Sequence, residues 1–137
     1  MPFHPIFKSI AIIAYCFIML NGWMIGIPFF LFLIFSLFEF GTLAQLAALL
    51  SFTGFFLLLF PADFKKIKRT VRLQLVIYVL LLSPIIERLV CVPLELFYYS
   101  TFIIPVLIFV IGFPVHILFL FKYLQKGLSE DAEASEL

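Results

Sequence analysis

The sequence predicts an all-α fold: an integral membrane bundle of four transmembrane helices, arranged as two helical hairpins. Three observations carry that prediction. The 137-residue chain is 65% hydrophobic and 12% charged, with 20 phenylalanines, whereas a soluble domain is about half apolar and a quarter charged. Two long apolar stretches dominate it, Ser9 to Phe60 and Leu73 to Phe121. The first carries a single charged residue, Glu39, and the second carries Glu87, Arg88 and Glu95. Each stretch holds two spans of the about 20 residues that cross a hydrocarbon core. Finally, a four-span reading puts eight of the nine basic residues on one side of the membrane, with Arg88 the exception, as the excess of Lys and Arg in cytoplasmic segments requires.

The first span covers residues 9–37. It contains "NGWMIGIPFF", Asn21 to Phe30, with two glycines, a proline and the single tryptophan of the chain. A loop here would give an odd number of spans and scatter the basic residues, so the stretch reads as helix. Gly22 and Gly26 then form a small-xxx-small face for a close helix contact. Pro28 kinks the helix beyond it, and Asn21 needs a hydrogen-bond partner from a neighbour.

The turn falls in "FEFGT", and the second span covers 41–60. Gly41, Ala44, Ala48 and Ser51 recur on it at spacings of three and four, with Ala47 and Gly54 widening the face. Such a face lets another backbone approach closely. Gln45, beside it, must bond across helices or lie near the outer surface, because a lone amide in hydrocarbon is costly.

"PADFKKIKRTVR" follows, with Lys65, Lys66, Lys68, Arg69 and Arg72. It reads as the cytoplasmic basic loop that sets orientation. The third span, 70–90, contains Pro84 and ends at Glu87 and Arg88. The fourth, 101–123, contains Pro105 and Pro114. Tyr98 and Tyr99 suit the outer aromatic belt and Tyr123 the inner one. Residues 1–127 thus form one transmembrane domain with both termini cytoplasmic. Residues 128–137 carry four acidic side chains and no aromatic, which predicts a disordered tail.

Few residues could carry chemistry. Glu39, Glu87, Arg88 and Glu95 form the outer-face polar cluster. Adjacent helical residues diverge by about 100°, so Arg88 is expected to find its carboxylate in Glu39 or Glu95 rather than Glu87. His116 is the third expected buried polar residue, beside Asn21 and Gln45; the carbonyl that Pro114 leaves without a donor is its natural partner. Cys16 and Cys91 lack the spacing of a redox or zinc pair. No catalytic signature, phosphate loop or metal-ligand spacing occurs, so neither enzyme activity nor a cofactor is expected. Nucleic acid is excluded as a partner, since the basic run has no interleaved aromatics and no soluble fold.

The function expected is that of a small non-enzymatic membrane protein, in a bacterial inner membrane. It would act by binding another membrane component, as an accessory subunit, an exclusion factor or an immunity-type protein. The alternative is a small transporter or channel built by self-association through the small-residue face.

Overall fold

The computed structural model describes residues 4–21, 26–59 and 67–135. Five α-helices make up the described chain. These are α1 (His4–Cys16), α2 (Phe29–Ser36), α3 (Leu43–Leu58), α4 (Ile67–Cys91) and α5 (Ser100–Ser135). Two three-residue strands, β1 (Met19–Asn21) and β2 (Gly26–Pro28), separate α1 from α2, and one 3-10 turn, Leu94–Phe97, links α4 to α5.

The expected continuous helix over 9–37 is therefore two helices interrupted by a small antiparallel hairpin. Met19 lies opposite Pro28, Leu20 opposite Ile27 and Asn21 opposite Gly26. Phe29 N–H donates to Ile18 O at 2.7 Å and closes the pair. The local chemistry explains the break. Two glycines in a helix interior cost about 1 kcal/mol each. The residue before a proline is pushed out of the helical region. Gly26 sits in a strand and contributes to no helix–helix face; Gly22 lies outside the described residues, as do Trp23 and the side chain of Asn21.

Aromatic contacts set the register of the bundle. Phe7 stacks on Phe119 at 5.6 Å and Tyr15 packs on Phe109 at 4.8 Å, so α1 and α5 run antiparallel. Tyr78 lies against Phe109 and Phe113 and joins α4 to α5. A Cβ on Gly54 would come within 3.1 Å of Leu80 Cβ and 3.3 Å of Leu81 Cγ, so glycine is what lets α3 approach α4. Phe30 meets Phe52 and Phe55, which joins α2 to α3. The buried core runs through Ala11, Tyr15, Phe29, Leu33, Ala48, Ile77, Leu81, Phe109 and Phe113.

Two helical segments, Lys68–Cys91 and Ser100–Lys126, are long and apolar enough to cross a membrane; Ile6–Cys16 and Leu43–Leu58 are shorter apolar helices. The 16 residues of α3 rise about 24 Å at about 1.5 Å each, short of a hydrocarbon core about 30 Å thick.

Three more expectations change. Gly41 precedes α3 and adopts φ +81°, with open space where a Cβ would stand. It serves the turn, where a left-handed backbone favours glycine, and not a helix contact. Lys68, Arg69 and Arg72 lie on the first turns of α4 rather than in a loop, while Lys65 and Lys66 fall outside the described residues. The backbone of α5 stays helical to Ser135, where a disordered tail is expected from residue 128. Extending an existing helix needs no new nucleus, and Leu, Glu and Ala in "LSEDAEAS" are good helix formers.

Candidate functional site

The antiparallel register collects basic residues at one end, beyond which α5 runs on through Glu130, Asp131 and Glu133. Lys8, Lys68, Arg69, Arg72, Lys122 and Lys126 lie at the end formed by the starts of α1 and α4 and the Lys122–Lys126 stretch of α5. Glu39, Glu87, Arg88 and Glu95 lie at the other, formed by the α2–α3 turn, the end of α4 and the turn that follows it. Glu39 and Glu95 are exposed. The second end holds the candidate site.

Between the ends, the polar groups of the interior hold one helix to another. Tyr15 is fully buried and touches Phe29, Phe55 and Phe109, on α2, α3 and α5. Its hydroxyl meets Ser51 Oγ at 2.9 Å. Ala44, Ala47, Ala48 and Ser51 are buried residues of α3.

Each of two prolines frees a carbonyl four residues earlier, and a hydroxyl reaches each one. Ser83 Oγ donates to Leu80 O at 2.8 Å, behind Pro84. Tyr78 Oη donates to Val110 O at 3.1 Å, behind Pro114. The expected partner of that second carbonyl was His116. Tyr78, which lies across the ring of Phe113, donates to that carbonyl. His116 is buried and packs edge-on to Phe113 at 5.9 Å.

At the acidic end, Gln45 acts as a turn staple. Thr42 caps α3 by accepting from Gln45 N–H at 3.1 Å. The Gln45 side chain turns back, accepting from Gly41 N–H at 3.1 Å and donating to Leu37 O at 3.0 Å. It resembles the capping box of a Thr-x-x-Gln sequence, readable in "TLAQ", but the amide reaches the N–H of Gly41, one residue before the cap, while Thr42 N–H donates to Glu39 O. Across the same end, Tyr99 Oη donates to Met19 O at 2.9 Å. One of the two expected belt tyrosines thus anchors the β1–β2 hairpin, while Tyr98 is exposed.

The Arg88 guanidinium carbon lies 3.9 Å above the ring of Phe32, on α2. Its Nε stands 3.5 Å from Glu87 Oε2. Among the described residues neither Glu39 nor Glu95 pairs with it, contrary to expectation. The two side chains leave the helix in different directions, and only that of Arg88 lies over Phe32. A separation of 3.5 Å is too long for a hydrogen bond, so Glu87 Oε2 and Arg88 Nε are buried atoms without one among the described residues, as is Ser36 Oγ, one helical turn beyond Phe32. A part-buried ion pair over an aromatic face, with acceptor and donor capacity unused, suits recognition of a polar group. Beside it, a groove of about 260 Å³ runs between α3 and α4, apolar except for Ser83 and Glu87 in its wall.

No family model matches this chain, and neither a curated protein nor a solved structure is similar to it. The two helices long and apolar enough to cross a membrane, with many large apolar side chains exposed, support a membrane protein as the class; the geometry alone argues for anything finer.

Proposed function

We propose that this is a multi-pass membrane protein with four crossings, in which α1, the β1–β2 hairpin and α2 together make the first, and α3, α4 and α5 the rest. Both termini lie in the cytoplasm of a bacterial cell, and the membrane is the inner one. Cytoplasmic termini follow from the basic end, which collects Lys8, Lys68, Arg69, Arg72, Lys122 and Lys126. The protein catalyses no reaction. It acts by binding another membrane protein at its outer, acidic end, as an accessory, exclusion or immunity-type component.

One observation carries this reading: how the polar groups are distributed. The hydroxyls of Tyr15, Ser51, Tyr78 and Ser83 are engaged with one another or with freed carbonyls, aromatic side chains fill the centre, and buried Ser36 Oγ and Gln74 Oε1 have no hydrogen bond among the described residues. That arrangement supports a packed bundle over a conducting one. The exposed carboxylates Glu39 and Glu95 lie at one end, beside the part-buried Glu87 and Arg88.

The test is co-purification from native membranes in mild detergent, comparing the wild-type chain with a Glu39→Ala/Glu95→Ala/Arg88→Ala variant of matched expression. A defined protein partner should accompany the wild type and be lost from the variant. Retention of that partner by the variant, or a solute flux that follows reconstitution of the purified chain alone, would overturn the binding reading.

A further inference from the structure

The chain between α1 and α3 does not take a straight path. Phe29, which opens α2, is held at the depth where α1 ends. Its N–H donates to Ile18 O at 2.7 Å, and its ring meets Tyr15 edge-on at 5.2 Å. From there α2 runs antiparallel to α3. Phe30 lies against Phe52 and Phe55 near the start of α2, and Leu37 O accepts from Gln45 Nε2 just past its end. Gln45 is in the first turn of α3, at the acidic end. The eight residues of α2 rise about 12 Å at about 1.5 Å each. Phe29 therefore stands about that far below the acidic end, inside a hydrocarbon core about 30 Å thick.

The hairpin climbs from the same depth towards the same end. Met19 and Pro28 form its base, next to Ile18 and Phe29. β1 lies against the Leu94–Phe97 turn, and Tyr99 Oη donates to Met19 O at 2.9 Å. Both partners belong to the acidic end. Three residues of strand span about 10 Å at about 3.3 Å each, which brings Asn21 and Gly26 level with that end. Backbone energetics favour the same placement. Among the described residues the sheet has two strands, so groups on its outer edges lack a ladder partner, and hydrocarbon does not tolerate unpaired backbone. Water and headgroups at the surface satisfy them, and Gly26 and Ile27 are exposed. α2 itself suits lipid. Phe29, Leu33 and Ser36 are buried against the bundle, Phe30, Leu31 and Phe35 are exposed, and no charged residue occurs from Met19 to Phe38.

We infer that the first crossing is complete at the β1–β2 hairpin, and that α2 is a re-entrant half-helix which dips about 12 Å into the membrane at the acidic end and returns. That end is the outer one by the orientation proposed above, on which the sidedness rests, though not the dip. The hairpin then belongs to the surface that a partner meets. The test uses nitroxide labels on Gly26→Cys, Phe30→Cys and Phe35→Cys, one at a time, in a Cys16→Ser/Cys91→Ser background of the full chain in lipid bilayers. Collisional accessibility to oxygen and to a water-soluble nickel chelate reads the depth of each. Position 30 should be the deepest, about 7 Å below position 35, with position 26 nearer the surface than position 30. A chain that climbs steadily outwards places 26 deepest, then 30, then 35, and that order would overturn the inference. Asn21→Cys, opposite Gly26, repeats the measurement should Gly26→Cys not fold, and a label there deeper than position 30 would overturn it equally. A membrane-impermeant maleimide applied to intact cells gives the side. Gly26→Cys should react from outside, as Glu39→Cys does. Reaction of both only after the membrane is opened, with position 30 still the deepest, would defeat the orientation proposed above and leave the re-entrant α2 standing.

Discussion

Two glycines and one tyrosine show how much single side chains decide in this protein. Gly54 faces Leu80 and Leu81 at distances a Cβ does not tolerate without movement. Gly54→Val should destabilise the fold by about 2 kcal/mol through overpacking, read as a lower midpoint of denaturation in detergent. Gly112 is the control, because a Cβ there would sit 3.6 Å from Ala11 Cβ, an ordinary contact. Gly112→Ala should be neutral or stabilising by up to about 1 kcal/mol. If the two glycines respond alike, the α3–α4 approach is not as close as described. Tyr15→Phe removes the hydroxyl that meets Ser51 and keeps the ring, and should cost about 1 kcal/mol, near the upper range for interhelical hydrogen bonds in membranes. A double-mutant cycle with Ser51→Ala measures it, and a coupling energy of zero would show that the hydroxyls do not hold α1 to α3.

Prolines and turns act at the scale of the element. Pro84 and Pro114 sit inside long helices, yet each freed carbonyl has a hydroxyl on it, from Ser83 and from Tyr78. Ser83→Ala should therefore loosen the middle of α4, seen as faster amide exchange around Leu80, with no more than about 1.5 kcal/mol lost overall. Unchanged exchange would mean that the carbonyl is met in another way. The α2–α3 turn depends on backbone shape. Gly41→Ala, with no steric neighbour but φ +81°, should cost about 1 to 2 kcal/mol, and Gly41→Asn less, since Asn tolerates that region. Equal stability of all three would place Gly41 in a different conformation.

Legibility in the sequence followed this division. The helical character of α3, α4 and α5 could be read from apolar length, and the buried small face of α3 from spacing. The interruption at β1 and β2 was equally present, as Gly26 and Pro28, but the demand for an even number of spans outweighed it; the broken first crossing proposed above satisfies both. The Gln45 staple was present as Thr-x-x-Gln. What could not be read were contacts set by side-chain reach across helices. Tyr15 on Ser51, Arg88 over Phe32 and Tyr78 on the carbonyl behind Pro114 each depend on which helix lies beside which, and hydropathy does not encode that. The candidate site was legible as a set of charged residues and illegible as a geometry.

At the scale of the whole molecule, the placement of the basic residues organises the proposed topology. In that topology the basic end gives the bundle one orientation in a bilayer, with Glu39, Glu87, Arg88 and Glu95 at the outer end, while α5 carries Glu130, Asp131 and Glu133 on beyond the basic end. That arrangement requires the segment from α1 through β1 and β2 to α2 to cross the membrane once. Single cysteines at positions 39, 95, 68 and 126, in a Cys16→Ser/Cys91→Ser background, test it with a membrane-impermeant maleimide applied to intact cells. Positions 39 and 95 should label from outside, and 68 and 126 only after the membrane is opened. Labelling of position 39 from the same side as position 126, or of 39 and 95 from opposite sides, would show that the first segment does not cross as one broken helix, and the acidic end would cease to exist as a single face.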